Sequence, residues 1–317
     1  MSPGSRNNLF FAAGERLAAK KPHLWLRSRI VQAIRSFFLS KGYLEVETPL
    51  LIPAPAPELY IDAVQAGDLF LHTSPELCMK RLLASGYEKI FQICRCFREG
   101  ERGANHLPEF TLLEWYRTEA DYRSLMNECE DMLLHLSMTL GLGERLFYQG
   151  RVIDLRPPWP RLSVTDALGQ YAGVALEDVL AAGSFDEVMV TRVEPHLGAP
   201  KPTFLCDYPA SLAALARTKT KEPQLAERFE LYIAGLELAN AFSELTDVVE
   251  QKRRFERERE ERSRLGKKAY PSPERFLEAL PFMPESAGIA LGVDRLVMIF
   301  ADRKSIDPVV AFTPEEI

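Results

Sequence analysis

Apolar residues between positions 22 and 41 recur at three- and four-residue spacing: Leu24, Leu26, Ile30, Val31, Ile34, Phe37 and Phe38, with Arg27, Arg29 and Arg35 between them. That period predicts an amphipathic helix, stopped by Gly42. An extended piece follows at 43–49. The alternating prolines Pro53, Pro55 and Pro57 exclude helix or central strand and predict a stiff surface connection, with a possible second role as an active-site loop. Residues 59–64 and 69–72 read as a hairpin around Gly67-Asp68. Ser74-Pro75-Glu76 opens a helix to residue 84, with Ser74 as N-cap, Pro75 at the first helical position and Glu76 complementing the dipole.

Two long strands are predicted at 89–98 and 109–117, joined by a polar connection, and then a helix from 122 to about 142. The stretch 143–202 carries weaker Leu-Ala helical signals and proline turns, and reads as a helical insertion covering the sheet. Strong patterns return with a hairpin at 228–234 and 236–242 around Gly235. A charged helix at 245–265, a short strand at 289–291 and a helix from Gly292 to Phe300 complete the chain. Long adjacent strands with helices before and after, without regular β-α alternation or internal repeats, predict an α+β fold with an antiparallel sheet.

Composition narrows the function. The 317 residues are 46% hydrophobic and 26% charged, within the range of soluble globular proteins. Lys and Arg total 39 against 45 for Asp and Glu, a net charge of -6, so a surface devoted to gripping nucleic acid is not expected. No stretch approaches the roughly 20 apolar residues of a membrane span. The short apolar patch at 9–13 lacks the length and cleavage site of a secretory signal, so a cytoplasmic location is expected. Five cysteines without regular spacing argue against a disulfide framework. Cys94 and Cys96, two apart on a strand, share a face. Structural burial is the favoured reading, since no Cys or His pair in the sequence completes a zinc set.

Three features carry candidate chemistry. Arg98 ends one long strand and Phe110 begins the next, an arrangement that can clamp a nucleotide by guanidinium and ring. Glu76, Glu114, Glu237 and Glu244 form an acidic set, with Glu114 and Tyr116 on one face of their strand; carboxylates of this kind suit a cationic substrate or Mg2+ bridging phosphates. In Gly288-Ile289-Ala290-Leu291-Gly292-Val293-Asp294-Arg295, small residues permit close approach of a ligand, and Arg295 lies in the first turn of a helix. Singly, each has an ordinary alternative: a surface arginine, solvated carboxylates, glycines that serve packing.

Their order along the chain resembles the three motifs of class II aminoacyl-tRNA synthetases. Gly42-Tyr43-Leu44-Glu45-Val46-Glu47-Thr48-Pro49 is similar to motif 1, Phe97-Arg98 through His106 with Pro108-Glu109-Phe110-Thr111 to motif 2, and Gly292-Val293-Asp294-Arg295 to motif 3. Ser74-Pro75-Glu76-Leu77, Met79-Lys80-Arg81-Leu82 and Glu237-Leu238-Ala239-Asn240-Ala241-Phe242-Ser243-Glu244-Leu245 resemble the lysyl branch. An N-terminal extension at 1–21 and one catalytic domain at 22–317 are expected. About 20 residues are fewer than the ~50 a domain needs, so no anticodon-binding OB-fold is expected. With the acidic balance and the run Leu113-Glu114-Trp115-Tyr116-Arg117, the chain resembles the stand-alone elongation factor P lysine ligases, which attach (R)-β-lysine to a lysine of that protein.

The resemblance implies activation of (R)-β-lysine or lysine by ATP with Mg2+, and transfer to elongation factor P. It implies a homodimer formed through motif 1, with neither membrane nor tRNA as partner. Arg98 would hold the α-phosphate, Arg295 the γ-phosphate end and Phe110 the adenine. Glu99, Gly100, Glu101, His106, Leu107, Leu238 and Gly292 would line the ATP site, and Glu237 and Glu244 would hold the metal. Ser74, Pro75, Glu76, Glu114, Tyr116, Glu244 and Ala290 would form the amino-acid pocket. Ala290 replaces a glycine of lysyl-tRNA synthetases, a change linked to β-lysine preference. Leu107 replaces the family asparagine, which would remove a side-chain contact to ATP but not a backbone one. Ala241 replaces a glycine and is expected to tighten the amino-acid pocket. The helix at 250–268 reads as a solvated, ion-paired face, with docking of the acceptor as the sharper alternative. A compact ligase for tRNA or a small acceptor is the second reading. A non-catalytic regulator is the third, disfavoured because Arg98, Phe110, Glu237, Glu244 and Arg295 are all present.

Overall fold

The computed structural model describes residues 3–317, with side chains from residue 14 onward; the side chains of the apolar patch at 9–13 lie outside the described residues. Helix α1 (Pro3–Ser40) starts far upstream of the expected position and carries Pro22 in its interior. The C-terminal segment holds this stretch in place, through Lys20 to Glu316 at 2.6 Å and Arg303 to His23 at 2.9 Å. Residues 3–21 of the expected extension are therefore part of the first helix.

Strands β1 (Leu44–Glu45), β2 (Leu51–Ile52), β3 (Gln65–Ala66) and β4 (Leu69–Leu71) follow, then α2 (Glu76–Ala84), β5 (Lys89–Phe97), β6 (Glu109–Thr118) and α3 (Tyr122–Thr139). The hairpin at Gly67-Asp68 is present, but its first arm is Gln65–Ala66 and not 59–64. The segment expected to be a helical insertion is mixed. It holds a hairpin of β7 (Arg145–Tyr148) and β8 (Arg151–Asp154), strand β9 (Arg161–Ser163), and short helices α4 (Val164–Ala167), α5 (Leu176–Ala181) and α6 (Phe185–Val188). Then come β10 (Thr203–Pro209), β11 (Leu225–Ile233), β12 (Leu236–Ser243), α7 (Val248–Arg264), α8 (Glu274–Ala279), β13 (Ser286–Gly292) and α9 (Val293–Phe300). Helix α7 starts at 248, where the Asp247 carboxylate accepts from the Val249 and Glu250 amides.

The main sheet has eight strands in the order β1-β5-β6-β13-β12-β11-β10-β9. It is antiparallel except at its edges, where β1 and β9 pair in parallel with β5 and β10. This is the α+β architecture the pattern predicts. One face is sealed by α1, α3 and α9 over Phe91, Leu113, Trp115, Ile289, Leu291, Ala241 and Phe229. On the other face α2 and α8 pack Met79, Leu83, Phe276 and Leu277 against Ile90 and Tyr116, with Phe255 of α7. The insertion packs its own cluster against Leu205, Tyr208 and Tyr232. Between these two covers the front face stays open.

Candidate active site

Directly paired residues of neighbouring strands share a face. The register pairs Glu114 with Gln92 and Ala290, Ala290 with Asn240, Asn240 with Glu230, and Gly292 with Leu112. One row across five strands thus faces the opening. By alternation Glu237 belongs on the opposite face from Asn240. A bulge corrects this: the pairing slips by one between Ala239–Leu231 and Glu237–Tyr232, leaving Leu238 unpaired. The slip swings Glu237 onto the open face and sends Leu238 into the core.

A cavity of about 350 Å³ on this face is lined by Arg98, Glu101, His106, Leu107, Phe110, Glu237, Leu238, Ala290, Gly292 and Arg295, all sequence-predicted. The Arg98 guanidinium lies over the Phe110 ring, 4.9 Å from its centroid. Its Nε has no hydrogen-bond partner among the described residues, and its ion pair to Glu101 is long at 3.7 Å. Arg295 is more engaged. It donates to the Glu237 carbonyl at 2.7 Å, reaches the Glu237 carboxylate at 3.3 Å, and contacts His106 Nε2. Burial and then the Arg295 charge push the His106 pKa down, so the ring is neutral and accepts. Arg295 is positioned by its neighbour in sequence: Asp294 accepts from the Thr111 amide at 2.7 Å and pairs with Arg27 of α1. Neither partner of Asp294 was legible in the sequence.

Glu99, Gly100 and Pro75 do not line this cavity or its neighbour. The Glu99 amide donates to Asp62 O, Gly100 turns the connection at φ +76°, and Pro75 precedes α2. Leu107 buries its side chain in the back core, an apolar residue filling apolar space. Ala241 also points into that core, paired with Ile289 and Phe229, so it does not tighten the amino-acid pocket as expected. The odd positions of β12 after the bulge, Ala239 and Ala241, face away from the site.

A second cavity of about 250 Å³, lined by Ser74 and Glu76, adjoins the first at Glu58. Glu114 lines neither cavity but touches the walls of both, bonded to Ser74 of the second and paired with Ala290 of the first. It is 1% exposed and accepts from Ser74 Oγ at 2.5 Å and Tyr116 OH at 2.7 Å. Burial, reinforced by Glu76, pushes its carboxyl well above the ordinary range, against the pull of those two hydrogen bonds. Ser74 also accepts from the Glu76 amide, so one hydroxyl fixes both the helix start and the pocket carboxyl. Gly288 pairs with Tyr116, and a Cβ there would overlap the Tyr116 ring and the Glu244 carboxylate. This glycine makes room for protein groups, whereas Gly292 leaves the cavity floor open.

Lys80 was not anticipated. It is 1% exposed, and its ammonium lies 2.5 Å from both Glu76 Oε1 and Glu244 Oε2. Burial lowers the Lys80 pKa, but the two carboxylates outweigh it and hold it above the usual value. Burial raises Glu244 to about 8, with Lys80 opposing. Glu76, Glu114 and Glu244 thus have one paired ammonium between them among the described residues. Glu114 and Glu244 are raised toward the neutral acid, and entry of two cations would stabilise their ionised forms.

For a hard divalent cation, Glu237 fits: its carboxylate is partly exposed and lines the same cavity as Arg98 and Arg295. Glu244 offers oxygens of the right kind but is neutralised by Lys80, which must yield for Glu244 to join a metal.

Helix α7 is divided in its roles. Arg254 and Arg262 are buried, donating to the carbonyls of Ala213 and Ala216 and of Glu58 and Ile61. Arg253 and Arg264 pair along the helix with Glu250 and Glu261. The solvated, ion-paired reading describes Arg253 and Arg264, whereas Arg254 and Arg262 are built into the fold.

An eight-stranded sheet with an arginine–aromatic clamp, a strand-to-helix arginine and a buried acidic pocket defines a nucleotide-dependent synthetase core. The family model for class II tRNA synthetases (D, K and N) matches residues 14–316, and the chain belongs to that family. It is 41% identical over 312 residues to the elongation factor P–(R)-β-lysine ligase of Proteus mirabilis, covering 93% of this chain and 96% of that protein. The ligase of the same name from Salmonella paratyphi B is 40% identical over 317 residues, with 93% and 96% covered. A lysine–tRNA ligase of Moorella thermoacetica is 40% identical over 314 residues, covering 90% of this chain. The match spans 64% of that relative, less than two thirds of its length.

Proposed function

We propose that the protein activates a diamino acid, (R)-β-lysine or lysine, as an aminoacyl adenylate and transfers it to the ε-amine of a lysine of elongation factor P. The charge count of the pocket carries the substrate class. Two buried carboxyl groups and the partly buried Glu76, with one paired ammonium, match an amino acid bearing two. In the first step the substrate carboxylate attacks the α-phosphorus of ATP and pyrophosphate leaves. The carboxylate is already ionised, so catalysis consists of alignment and charge neutralisation. Arg98 holds the α-phosphate, Arg295 the γ-phosphate end, and Phe110 stacks on adenine. Glu237 would hold Mg2+, which would supply charge neutralisation of the phosphates, while Glu244 stays paired with Lys80. Glu114, Tyr116, Ser74 and Glu76 take the amino groups. In the second step the acceptor amine attacks the adenylate carbonyl, forming an amide and releasing AMP.

Elongation factor P as acceptor is supported by the relatives that carry that name and align over nearly their whole length. The reading extends to a cytoplasmic homodimer: no described helix is long and apolar enough to cross a membrane, and Leu44, Leu50 and Leu51 are exposed beside the β1 edge. Offered ATP and labelled β-lysine or lysine, the purified protein is expected to label elongation factor P and not tRNA. Label on tRNA alone would overturn the acceptor assignment.

Ala290 lies between Glu114 and Asn240 on the cavity face. Removing its methyl enlarges the pocket where the substrate backbone passes Glu114. Ala290→Gly should shift the α-lysine to β-lysine activation ratio toward α-lysine about fivefold, or about 1 kcal/mol. An unchanged ratio in pyrophosphate exchange would remove Ala290 from the selectivity account.

A further inference from the structure

The open face of β5 carries a cluster that the proposed reaction leaves unused. Gln92, Cys94 and Cys96 occupy alternate positions of that strand, so their side chains share a face. The Cys94 and Cys96 sulfurs are 3.9 Å apart, both as free thiols. His72, just after β4, brings its ring to the same place, and a ring nitrogen and the two sulfurs all lie within 4.8 Å of one another. His72 is buried, with Nε2 2.8 Å from the Arg95 carbonyl oxygen. A carbonyl only accepts, so Nε2 carries the proton and Nδ1 presents its lone pair. Among the described residues, Nδ1 has no hydrogen-bond partner, and neither does the buried Gln92 Oε1.

We propose that His72 Nδ1, Cys94 Sγ and Cys96 Sγ form a binding site for a soft transition-metal ion of the zinc(II) class. Tetrahedral zinc with bonds to sulfur of about 2.3 Å holds two thiolates about 3.8 Å apart, close to the spacing found. The His72–Arg95 contact is the outer bond that orients a ligating imidazole. Binding exchanges two thiol protons for one Zn2+, leaving a neutral unit, and the fourth position falls to Gln92 Oε1 or water. The ion would tie the turn that carries Ser74 and Glu76 to the strand paired with Glu114.

The test uses the full-length protein, stripped with chelator and reductant and titrated with Co2+. A thiolate-to-cobalt charge-transfer band saturating at one ion per chain, and displaced by Zn2+, is expected. Cys94→Ser and Cys96→Ser should each abolish the band and weaken Co2+ binding about 100-fold. No band in the wild-type protein, or a band that survives both substitutions, would overturn the site. Should the variants fail to fold, the wild-type protein still decides: Zn2+ should protect the half-buried Cys94 from alkylation while Cys78 continues to react, and equal labelling of Cys94 with and without Zn2+ would refute binding. The positioning role rests on the pocket reading above. Zinc removal should raise KM for the diamino acid several-fold and leave that for ATP unchanged, and an unaltered KM would end that role without touching the cobalt result.

Discussion

Arg98→Ala is expected to lower ATP–pyrophosphate exchange about 1000-fold while leaving the fold intact. The two halves of that expectation have separate causes. Arg98 ends β5 with its Nε unpartnered among the described residues, its guanidinium over Phe110 and one long ion pair to Glu101. Little native bonding is lost with it, so stability should move by no more than about 0.5 kcal/mol. The developing charge on the α-phosphate, by contrast, would lose a preorganised bidentate donor, a change worth about 3 to 4 kcal/mol in sites of this kind. Arg98→Lys keeps the charge without the fork and should recover only part of the rate. Exchange near the wild-type rate in Arg98→Ala, measured beside an unchanged melting curve, would remove Arg98 from the reaction.

The second large effect is a divergence between stability and activity in Glu114→Gln. The amide oxygen can keep one of the hydrogen bonds from Ser74 and Tyr116, the other hydroxyl must turn to accept from the NH2, and the charge is lost. Activation of lysine or β-lysine should fall at least about 100-fold, because an ammonium would enter a site that no longer offers its counter-charge. Stability should change in the opposite direction, with a definite pH dependence. The Glu114 carboxyl is raised in the folded state, so its contribution to stability is present below the ordinary carboxylate range and lost as pH rises through the raised value. Glutamine removes that loss. The variant should melt with the wild type or slightly below it near pH 4, and above it near pH 8.5. Equal activity, or a stability gap that shrinks as pH rises, would contradict the reading of Glu114 as a buried carboxylate awaiting an amine. Glu244, raised to about 8, adds a loss of the same sign to both proteins.

Much of this site was readable because strand alternation and helix signals are local. The faces of Glu114 and Tyr116, the helix opening at Ser74-Pro75-Glu76 and the strand-to-helix junction at Gly292 follow from residues a few positions apart. The errors fall where a distant contact overrides the local pattern. Pro22 looks like a helix start and sits mid-helix because the C-terminal segment clasps residues 20–23. The stretch 143–202 gave helical signals, yet β9 is recruited by the edge of β10. Ala241 was placed in the pocket because its neighbours are there, but its parity sends it to the core. Lys80 reads as an ordinary solvated charge on a helix, and only the fold encloses it between Glu76 and Glu244.

Sequence alone determined the element types, the antiparallel core, and which side chains can bind phosphate, aromatic base and amine, since those properties belong to residues and their immediate spacing. Tertiary structure decided which of them meet. The bulge at Leu238 turned Glu237 to the cavity, Gly288 admitted Tyr116 and Glu244 to one place, and His72 came to the two thiols of β5. These are encounters between residues far apart along the chain. They depend on register and packing across the whole sheet, which no local pattern encodes.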